Sequence, residues 1–321
     1  MEKEPKWPSS LVEAVRYFSD LDRCQNFLVA MRWPNGVTCP TCGSNDPTYL
    51  STRRLWKCKT THPLQQFSIK KGSIFEDSPL GLDKWLVAMW LIINCKNGVS
   101  SYEVARDLNV RQETAWFMLH RIRKAMQRGS FDKAMGGEVE ADETFIGGKA
   151  RNMHAHKRAK KITGTGGAGK EVVMGLLERE TGQVRIKHVA NRKRGTLQAE
   201  VRAHVAPGAD LFTDELASYT GLDKEYVHGV INHAETYVNG RIHTNGMENF
   251  WSLLKRAIKG TYVSVEPFHL FRYLDEQAFR FNERKGDDGD RFVEAARNVF
   301  GRRLTYAQLT GETAAPSTTQ G

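Results

Sequence analysis

The chain has 321 residues, of which 40% are hydrophobic, and it carries a formal net charge of +10 with a pI of about 9.4. This length predicts about two or three domains. The longest apolar run, residues 85–93, is shorter than the roughly 18 residues that a membrane helix needs. The N-terminus has no signal-peptide pattern, so we expect a cytoplasmic, nucleoid-associated protein. The positive charge, with basic clusters at 157–161 and 192–194, favours a polyanionic partner because Lys and Arg neutralise phosphates.

The pattern of residues changes along the chain, and we predict five segments. They are an N-terminal helical region at 1–35, a metal-binding module at 36–78, a helical pair at 79–130, a strand-and-helix domain at 137–305 and a disordered tail at 306–321. The first follows from apolar residues at helical spacing, and the last from a composition rich in small and polar residues. The fold class is therefore α/β, mixed and multi-domain.

The module at 36–78 contains four closely spaced soft metal ligands. Cys39-Pro-Thr-Cys42 forms one pair, and Cys58 with His62 forms another. Two such pairs fit a tetrahedral, structural Zn²⁺ site and predict a zinc ribbon. The second pair departs from the usual Cys-x-x-Cys because position 61 is Thr, which leaves His62 as the good fourth ligand. The alternative is two unrelated cysteine turns, but a segment with so few large apolar residues would hardly fold without a metal.

Residues 79–130 predict a helix-turn-helix. A short helix capped by Ser100 or Ser101 is followed by a turn at 109–110 and a second helix at 111–124. Polar and basic side chains of the second helix are placed where a recognition helix contacts DNA. The candidate DNA-binding residues are Arg111, Gln112, Thr114 and Arg121. The alternative is a helical hairpin that makes no DNA contact.

The segment 137–305 alternates between strand and helix patterns. The predicted strands lie at 137–146, 171–178, 183–189, 210–213 and 226–230, and the predicted helices at 196–205 and 245–258. Three antiparallel strands followed by strand–helix units are the order of a ribonuclease-H-like core with a mixed sheet. In that order, the first two acidic residues of the site fall on adjacent strands and the third on a later helix.

Three acidic residues stand in contexts that suit two-metal phosphoryl transfer. Asp142 lies in the first strand, Asp214 ends a short buried strand, and Glu248 opens an aromatic-rich helix. Carboxylates placed in this way can hold two divalent cations about 4 Å apart, which activate a water or a 3′-hydroxyl and stabilise the leaving oxygen of a phosphodiester. The chain is therefore a candidate for cutting and joining DNA.

Each of the two aspartates has competitors nearby. Glu140 shares a strand face with Asp142, whereas Glu143 points to the opposite face. Asp210 starts the strand that Asp214 ends, and its position favours a turn.

At the third acidic position, Asn245 also offers an oxygen and could cap the helix. Glu248 is preferred because Lys255 follows two turns later on the same helix face, where a cation can hold a DNA phosphate beside the metals.

Taken together, these motifs resemble bacterial insertion-sequence transposases of the DDE type. The chain is most similar to the ISXO2-like group, which combines an N-terminal zinc ribbon, a helix-turn-helix and a ribonuclease-H-like catalytic domain. The resemblance covers roughly residues 10–305, and its most specific parts come late in the chain. These parts are Thr213-Asp214 and His243-x-Asn245-x-x-Glu248-Asn249-Phe250-Trp251-x-x-x-Lys255-Arg256, with Phe279-Arg280-Phe281-Asn282-x-Arg284 in support.

The resemblance implies that Asp142, Asp214 and Glu248 hold Mg²⁺ or Mn²⁺ at a catalytic site to which Lys255 also belongs. Water would attack at the ends of the element, and the freed 3′-hydroxyl would then attack target DNA. It implies double-stranded DNA as partner and a homodimer or higher oligomer on that DNA. Because members of the group vary at the third acidic position, Asn245 stays an alternative to Glu248.

Two other functions fit parts of the sequence. One is a DNA-binding regulator that has lost catalysis, and the intact acids argue against it. The other is a metal-dependent nuclease of repair or RNA processing that performs no strand transfer. The zinc ribbon and the helix-turn-helix, which suggest recognition of element ends, argue against the nuclease.

Overall fold

The computed structural model describes residues 7–127, 133–148, 156, 167, 169–214, 216–231 and 243–312. The chain divides into two compact units. The first unit joins residues 1–127 to residues 285–321, and the second comprises residues 128–284. Residue 305, where we predicted the catalytic domain to end, therefore lies beyond the limit of the second unit. No helix in the described ranges is both long and apolar enough to cross a membrane.

The N-terminal part of the first unit contains the predicted helices. They are α1 (Leu11–Phe18), α2 (Leu21–Arg32), α3 (Leu82–Asn94), α4 (Ser101–Leu108) and α5 (Gln112–Met126). The Ser100 hydroxyl accepts from the Glu103 backbone N–H and so caps α4, as the sequence predicts. Asn109 ends α4 in the left-handed region, with φ of 49°, a conformation that Asn tolerates better than most residues. This turn leads the chain directly into α5.

A small antiparallel sheet follows α2. Its strands are β1 (Thr48–Leu50), β2 (Leu55–Lys57) and β3 (Gln66–Phe67). The apolar content of this sheet is mostly aromatic, since the Trp56 ring lies 5.6 Å from that of Trp33 and 5.9 Å from that of Phe67. A core of this size gives little stability by itself, so the module depends on a further constraint.

The second unit is built on a five-stranded mixed sheet. Its strands are β4 (Glu138–Ile146), β5 (Glu171–Glu178), β6 (Gln183–Val189), β7 (Asp210–Asp214) and β8 (Val227–Ile231). Their order across the sheet is β6-β5-β4-β7-β8. The pairs β4–β5 and β5–β6 are antiparallel, whereas β4–β7 and β7–β8 are parallel. The predicted mixed α/β class is confirmed, and the strand bounds differ from the predicted ones by one residue at most.

Helices cover both faces of this sheet. On one face, α6 (Arg194–His204) packs against a cluster that includes Val139 and Ala141 of β4. On the other face, α7 (Asn245–Ala257) and α8 (Leu270–Asn282) pack against a cluster that includes Ile146. Because side chains alternate along a strand, odd-numbered residues of β4 face α6 and even-numbered residues face α7.

The C-terminal helices belong to the first unit. There, α9 (Asp288–Arg297) begins with a capping box between Asp287 and Asp290. Its Phe292 is fully buried, with ring centroids 5.5 Å from those of Phe18 and Phe27. The end of the chain thus completes the core formed by the first helices.

The predicted disordered tail needs a correction at its start. Residues Tyr306–Thr310 form a short helix, α10, with a capping box between Thr305 and Gln308. Leu309 is fully buried and anchors this helix, which the small and polar composition of the following residues did not reveal. Residues 313–321 lie outside the described residues.

Candidate active site and metal centre

The four predicted zinc ligands, Cys39, Cys42, Cys58 and His62, lie together in the first unit. Their ligand atoms all lie within 4.8 Å of one another. Cys39 Sγ is 3.4 Å from His62 Nε2, and Cys42 Sγ is 3.6 Å from Cys58 Sγ. Ligand atoms around tetrahedral zinc are about 3.5–3.8 Å apart, given Zn–S and Zn–N distances of about 2.3 and 2.0 Å. The four residues form a Cys₃His cluster of the size that suits a structural zinc ion.

The backbone around this cluster favours the thiolate form of Cys39 and orients the ring of His62. Burial by itself would raise the pKa of Cys39, but backbone N–H groups of Cys42 and Thr41 hydrogen-bond its sulfur, and its pKa falls to about 6. His62 Nδ1 donates to the Pro63 carbonyl at 2.7 Å, which leaves Nε2 as the atom that faces the sulfurs. Thr at position 61 therefore does not disrupt the cluster, because the next residue supplies the fourth ligand atom.

The second unit places the two predicted aspartates on neighbouring strands. In the parallel pair β4–β7, Glu138 is opposite Asp210 and Glu140 is opposite Phe212. Continuing this register by two residues places Asp142 at the level of Asp214. Neighbouring strands are about 4.8 Å apart, so the two carboxylates start from backbones that are close together.

Asp142 faces α7, as its even position on β4 requires. Its Oδ2 accepts a hydrogen bond from Trp251 Nε1 at 2.9 Å, and its Oδ1 accepts from the Glu143 backbone N–H at 2.8 Å. Burial, with a smaller effect of the charges of Asp214 and Glu248, raises the pKa of Asp142 to about 6 against the lowering effect of these two hydrogen bonds. Asp214 and Glu248 are therefore close enough to Asp142 for their charges to act on it.

On α7, Glu248 lies on an exposed part of the first turn, and Lys255 is half-buried two turns later. Burial lowers the pKa of Lys255, although the negative charge of Asp142 acts in the opposite direction. Lys255 is thus on the side of α7 that faces the acidic residues. Asn245 is the first residue of α7 and is exposed, while Thr244 occupies the N-cap without a side-chain cap. Asn245 therefore does not cap this helix.

Glu143 is a buried acid on the opposite face of the sheet, whose importance the sequence did not reveal. Only 2% of its side chain is exposed, and its carboxylate accepts from the Tyr219 hydroxyl at 2.9 Å. An Arg192 guanidinium nitrogen lies 3.6 Å from it. Burial and the charge of Asp214 raise its pKa to about 7. The prediction that Glu143 points away from Asp142 is correct. The negative charge of Asp214 nevertheless raises the pKa of both residues.

In the helix pair α4–α5, three of the four predicted DNA-binding residues lie at the start of the second helix and stay candidates. Arg111 is exposed, and Gln112 and Thr114 are half-buried at the start of α5. Arg121 needs a correction, because it is only 3% exposed and donates to the Glu76 carbonyl. Its spacing along a helix could not show that its guanidinium lies over the Trp85 ring, 5.4 Å from the centroid.

Part of the late motif has a structural role. Asn282 joins the end of α8 to β6, since its amide accepts from the Val184 N–H at 2.7 Å and donates to the Val184 carbonyl at 3.0 Å. Arg284 donates to the Gly182 carbonyl in the turn of the hairpin. These two residues fix α8 to the β5–β6 hairpin. The basic run at 157–161 lies outside the described residues.

Comparison with known proteins relates both units to mobile elements. The family model described as the ISXO2-like transposase domain matches residues 134–282, and that described as a transposase zinc-ribbon domain matches residues 20–60. A transposase-like protein of Haemophilus influenzae, itself uncharacterised, is 34% identical over 95 residues, which cover 29% of this chain and 76% of that protein. The chain belongs to the ISXO2-like transposase family.

A second relative extends the similarity over most of the chain. It is an uncharacterised protein in the transposable element ISH50 of Halobacterium salinarum, 26% identical over 258 residues, which cover 75% of this chain and 84% of that protein. The family predicted from the sequence, the ISXO2-like transposases, is therefore confirmed. Its transposase-domain match contains all four candidate catalytic residues, and its zinc-ribbon match contains the three cysteine ligands.

Proposed function

We propose that this chain is a DDE-type DNA transposase. It hydrolyses insertion-sequence ends in a metal-dependent reaction and transfers the freed 3′-hydroxyl into target DNA. The observation that carries the proposal is the grouping of Asp142, Asp214 and Glu248, contributed by β4, β7 and α7, with mutual charge effects at Asp142. Membership in a transposase family supports this chemistry over others that three acids could perform.

The strand order supports a ribonuclease-H-like fold for the second unit. Three antiparallel strands precede two parallel ones, and helices pack on both faces. The sequence predicts this order together with acids on two adjacent strands and on a later helix. The positions of Asp142 on β4, Asp214 on β7 and Glu248 on α7 support the proposal.

The carboxylates are chemically suited to Mg²⁺ or Mn²⁺. Both are hard cations that favour carboxylate oxygens. Burial is the main cause of the raised pKa values of Asp142 and Glu143, and the negative charge of neighbouring acids adds to it. A pair of bound cations would offset that charge and stabilise the attacking and leaving oxygens of the phosphodiester. Asp142, Asp214 and Glu248 would hold them.

The remaining residues of the site orient groups rather than react. Trp251 fixes one oxygen of Asp142 by its indole N–H, which leaves the direction of the carboxylate defined before substrate arrives. Lys255 provides a cation on the same side of α7 and would contact a DNA phosphate. No side chain has to form a covalent bond with DNA.

The first unit would recognise the DNA. Arg111, Gln112 and Thr114 at the start of α5 would contact bases or phosphates, and the zinc ribbon would keep its own module folded. Because transposition joins two element ends, we expect a homodimer or higher oligomer on the DNA.

Substitution of the aspartates tests the proposal. Asp142→Asn and Asp214→Asn should each reduce Mg²⁺-dependent nicking of an element-end fragment below detection, because each removes an anionic ligand. Binding of the same fragment should persist, since the DNA-binding residues are in the first unit. The matched control is Asp210→Asn, which changes the carboxylate at the other end of β7 and should leave nicking intact.

Three outcomes would contradict the proposal. Full activity in Asp142→Asn would exclude this residue as a metal ligand. Binding of ends by the unsubstituted protein without any cleavage would favour the regulator. Cleavage without joining to a second duplex would favour the nuclease.

A further inference from the structure

We propose that Arg179 and Glu140 are positioning residues that set the spacing of the three acidic residues. Neither residue belongs to the acidic triad, and neither would touch DNA or metal. Together they connect β4, β7 and the start of α7, the three elements that carry the acids. The inference rests on the proposed metal-dependent function and assigns a separate task to this pair.

Glu140 ties the first turn of α7 to β4. Its side chain is only 1% exposed. One carboxylate oxygen accepts from the Met247 backbone N–H at 2.9 Å, and the other accepts from Arg179 Nε at 2.8 Å. The first-turn N–H groups of a helix have no partner within the helix, and α7 has no side-chain cap of its own. Glu140 satisfies one of these groups with a charged acceptor, which the helix dipole favours.

Arg179 connects Glu140 to β7 and to the segment that leads into α7. Its guanidinium donates to Glu138 at 2.8 Å and to the His243 carbonyl at 2.6 Å, besides Glu140. The guanidinium carbon lies 4.2 Å from the centroid of the Phe212 ring on β7. Only 16% of the Arg179 side chain is exposed, so solvent screens these contacts weakly. One planar cation therefore contacts β4, β7 and the segment that leads into α7.

Three of these contacts lie within two residues of an acidic position. The pairs are Glu140 with Asp142, Phe212 with Asp214, and Met247 with Glu248. If these contacts shifted, the carboxylates would shift with them. Only two residues of a strand, or one residue of a helix, separate each contact from its acidic residue. Cation affinity depends on ligand spacing, so the pair would act on the metal site through geometry.

The close approach at Gly246 shows how tightly this junction is packed. A Cβ at this position would lie 2.9 Å from Glu140 Oε2 and 3.2 Å from both methyl carbons of Leu177. Glycine at this point lets the start of α7 come close enough for the Met247 N–H to reach Glu140. The junction is thus specified by three features, namely a buried carboxylate, a shared guanidinium and a missing side chain.

The test is the affinity of the zinc-loaded, full-length protein for Mn²⁺, measured by electron paramagnetic resonance without DNA. Glu140→Gln keeps the shape and an acceptor for Met247 but loses the charge that holds Arg179. A second variant, Glu140→Gln with Arg179→Met, removes both charges and avoids an unpaired buried guanidinium. Both should bind Mn²⁺ about 10–100-fold more weakly, the usual effect of losing a group that orients metal ligands. The zinc content should not change.

A matched control uses another arginine–carboxylate pair of the second unit. Arg202 contacts Glu225 at 2.8 Å, and both side chains are at least 40% exposed. Arg202→Met with Glu225→Gln should leave the Mn²⁺ affinity at the level of the unsubstituted protein. In cleavage assays, the Glu140→Gln protein should need more Mn²⁺ for half-maximal rate and should regain most of that rate at saturating Mn²⁺. A general loss of folded protein would not be restored in this way.

Two results would overturn the proposal, and they differ in what else they overturn. If the double variant binds Mn²⁺ as tightly as the unsubstituted protein while Asp142→Asn loses binding, the pair has no positioning role and the metal site stands. If Asp142→Asn keeps full Mn²⁺ binding, the metal site and the positioning role are both wrong.

Discussion

Asp142 and Glu143 are neighbours in sequence that face opposite sides of one strand, and both hold their protons more tightly than usual. Burial and nearby acids raise the pKa of Asp142 from 3.8 to about 6 and that of Glu143 from 4.5 to about 7. The folded protein therefore favours their protonated forms. Stability from this source is complete below about pH 4 and is lost as pH rises through the two folded pKa values. Without a bound cation, the ionisation of each group at neutral pH lowers the free energy of unfolding by on the order of 3 kcal/mol.

This pH dependence gives a prediction for Asp142→Asn. In zinc-loaded protein without Mg²⁺, the unfolding free energy of the variant relative to the unsubstituted protein should rise by up to about 3 kcal/mol between pH 4 and pH 7. Urea unfolding across this pH range measures the difference, and excess Mg²⁺ should reduce it. A difference that does not change with pH would show that folding does not raise the pKa of Asp142.

Single residues also show what a sequence pattern can locate. Asp142, Asp214 and Glu248 were placed by the strands and helix around them, because local pattern fixes which element a residue occupies. The hydrogen bond from Trp251 to Asp142 joins residues 109 positions apart, and no local pattern encodes it. Arg121 has the spacing of an exposed helical residue and is nonetheless buried, because its partners come from distant parts of the chain.

At the scale of elements, the packing of α7 on the sheet depends on a glycine. Gly175 of β5 is paired with Asp142 in the antiparallel register. A Cβ at this glycine would lie 2.1 Å from Met247 Cε and 2.8 Å from the Trp251 ring. The Met side chain could move aside, but the ring is rigid and hydrogen-bonded to Asp142. The glycine therefore lets α7 approach the strand that carries the candidate metal ligand.

Gly175→Ala should consequently destabilise the second unit by about 1–3 kcal/mol, the usual cost of overpacking, and weaken Mn²⁺ binding as α7 shifts. The control is Gly136→Ala, since a Cβ there meets no atom within 4 Å. Chemical denaturation and Mn²⁺ titration of both variants are the measurements. Equal stability in the two variants would mean that α7 does not pack on β5 as described.

The zinc ribbon is an element whose stability should come mainly from its metal. Cys39→Ser should reduce the zinc content from about one ion per chain to near zero and unfold only the module at 36–78. The matched control, Cys95→Ser, changes a cysteine outside the cluster and should keep the zinc. Metal analysis and limited proteolysis check both points. Unchanged zinc content in Cys39→Ser would show that the ligand assignment is wrong.

Element positions were predicted well where a pattern repeats over several residues. The hairpin at 171–189 and the helices at 101–126 matched because alternation, caps and turn residues are local signals. The helix at 306–310 was missed because it depends on one buried leucine and a capping box. In so short and polar a segment, these two features give no repeating pattern from which a helix can be predicted.

At the scale of the whole molecule, the chain returns to its first unit after completing the second. Phe292 packs with Phe18 and Phe27, across more than 260 positions of sequence. The sequence of α9 does not show which core receives this helix, so the predicted catalytic domain extended to residue 305. The pairing of β4 with β5 and of β5 with β6 was predictable, because sequential strands usually pair or neighbour one another. The pairing of β4 with β7 joins strands that are not consecutive in the chain.

The central claim is that three acids of the second unit support metal-dependent cutting and joining of DNA ends. The most direct measurement incubates purified full-length protein with a labelled element-end fragment and a second duplex, with Mg²⁺ or with no divalent cation. We expect Mg²⁺-dependent nicking at the end and a longer product that joins the end to the second duplex, and neither in Asp142→Asn. Nicking and joining that continue undiminished in Asp142→Asn would contradict the claim.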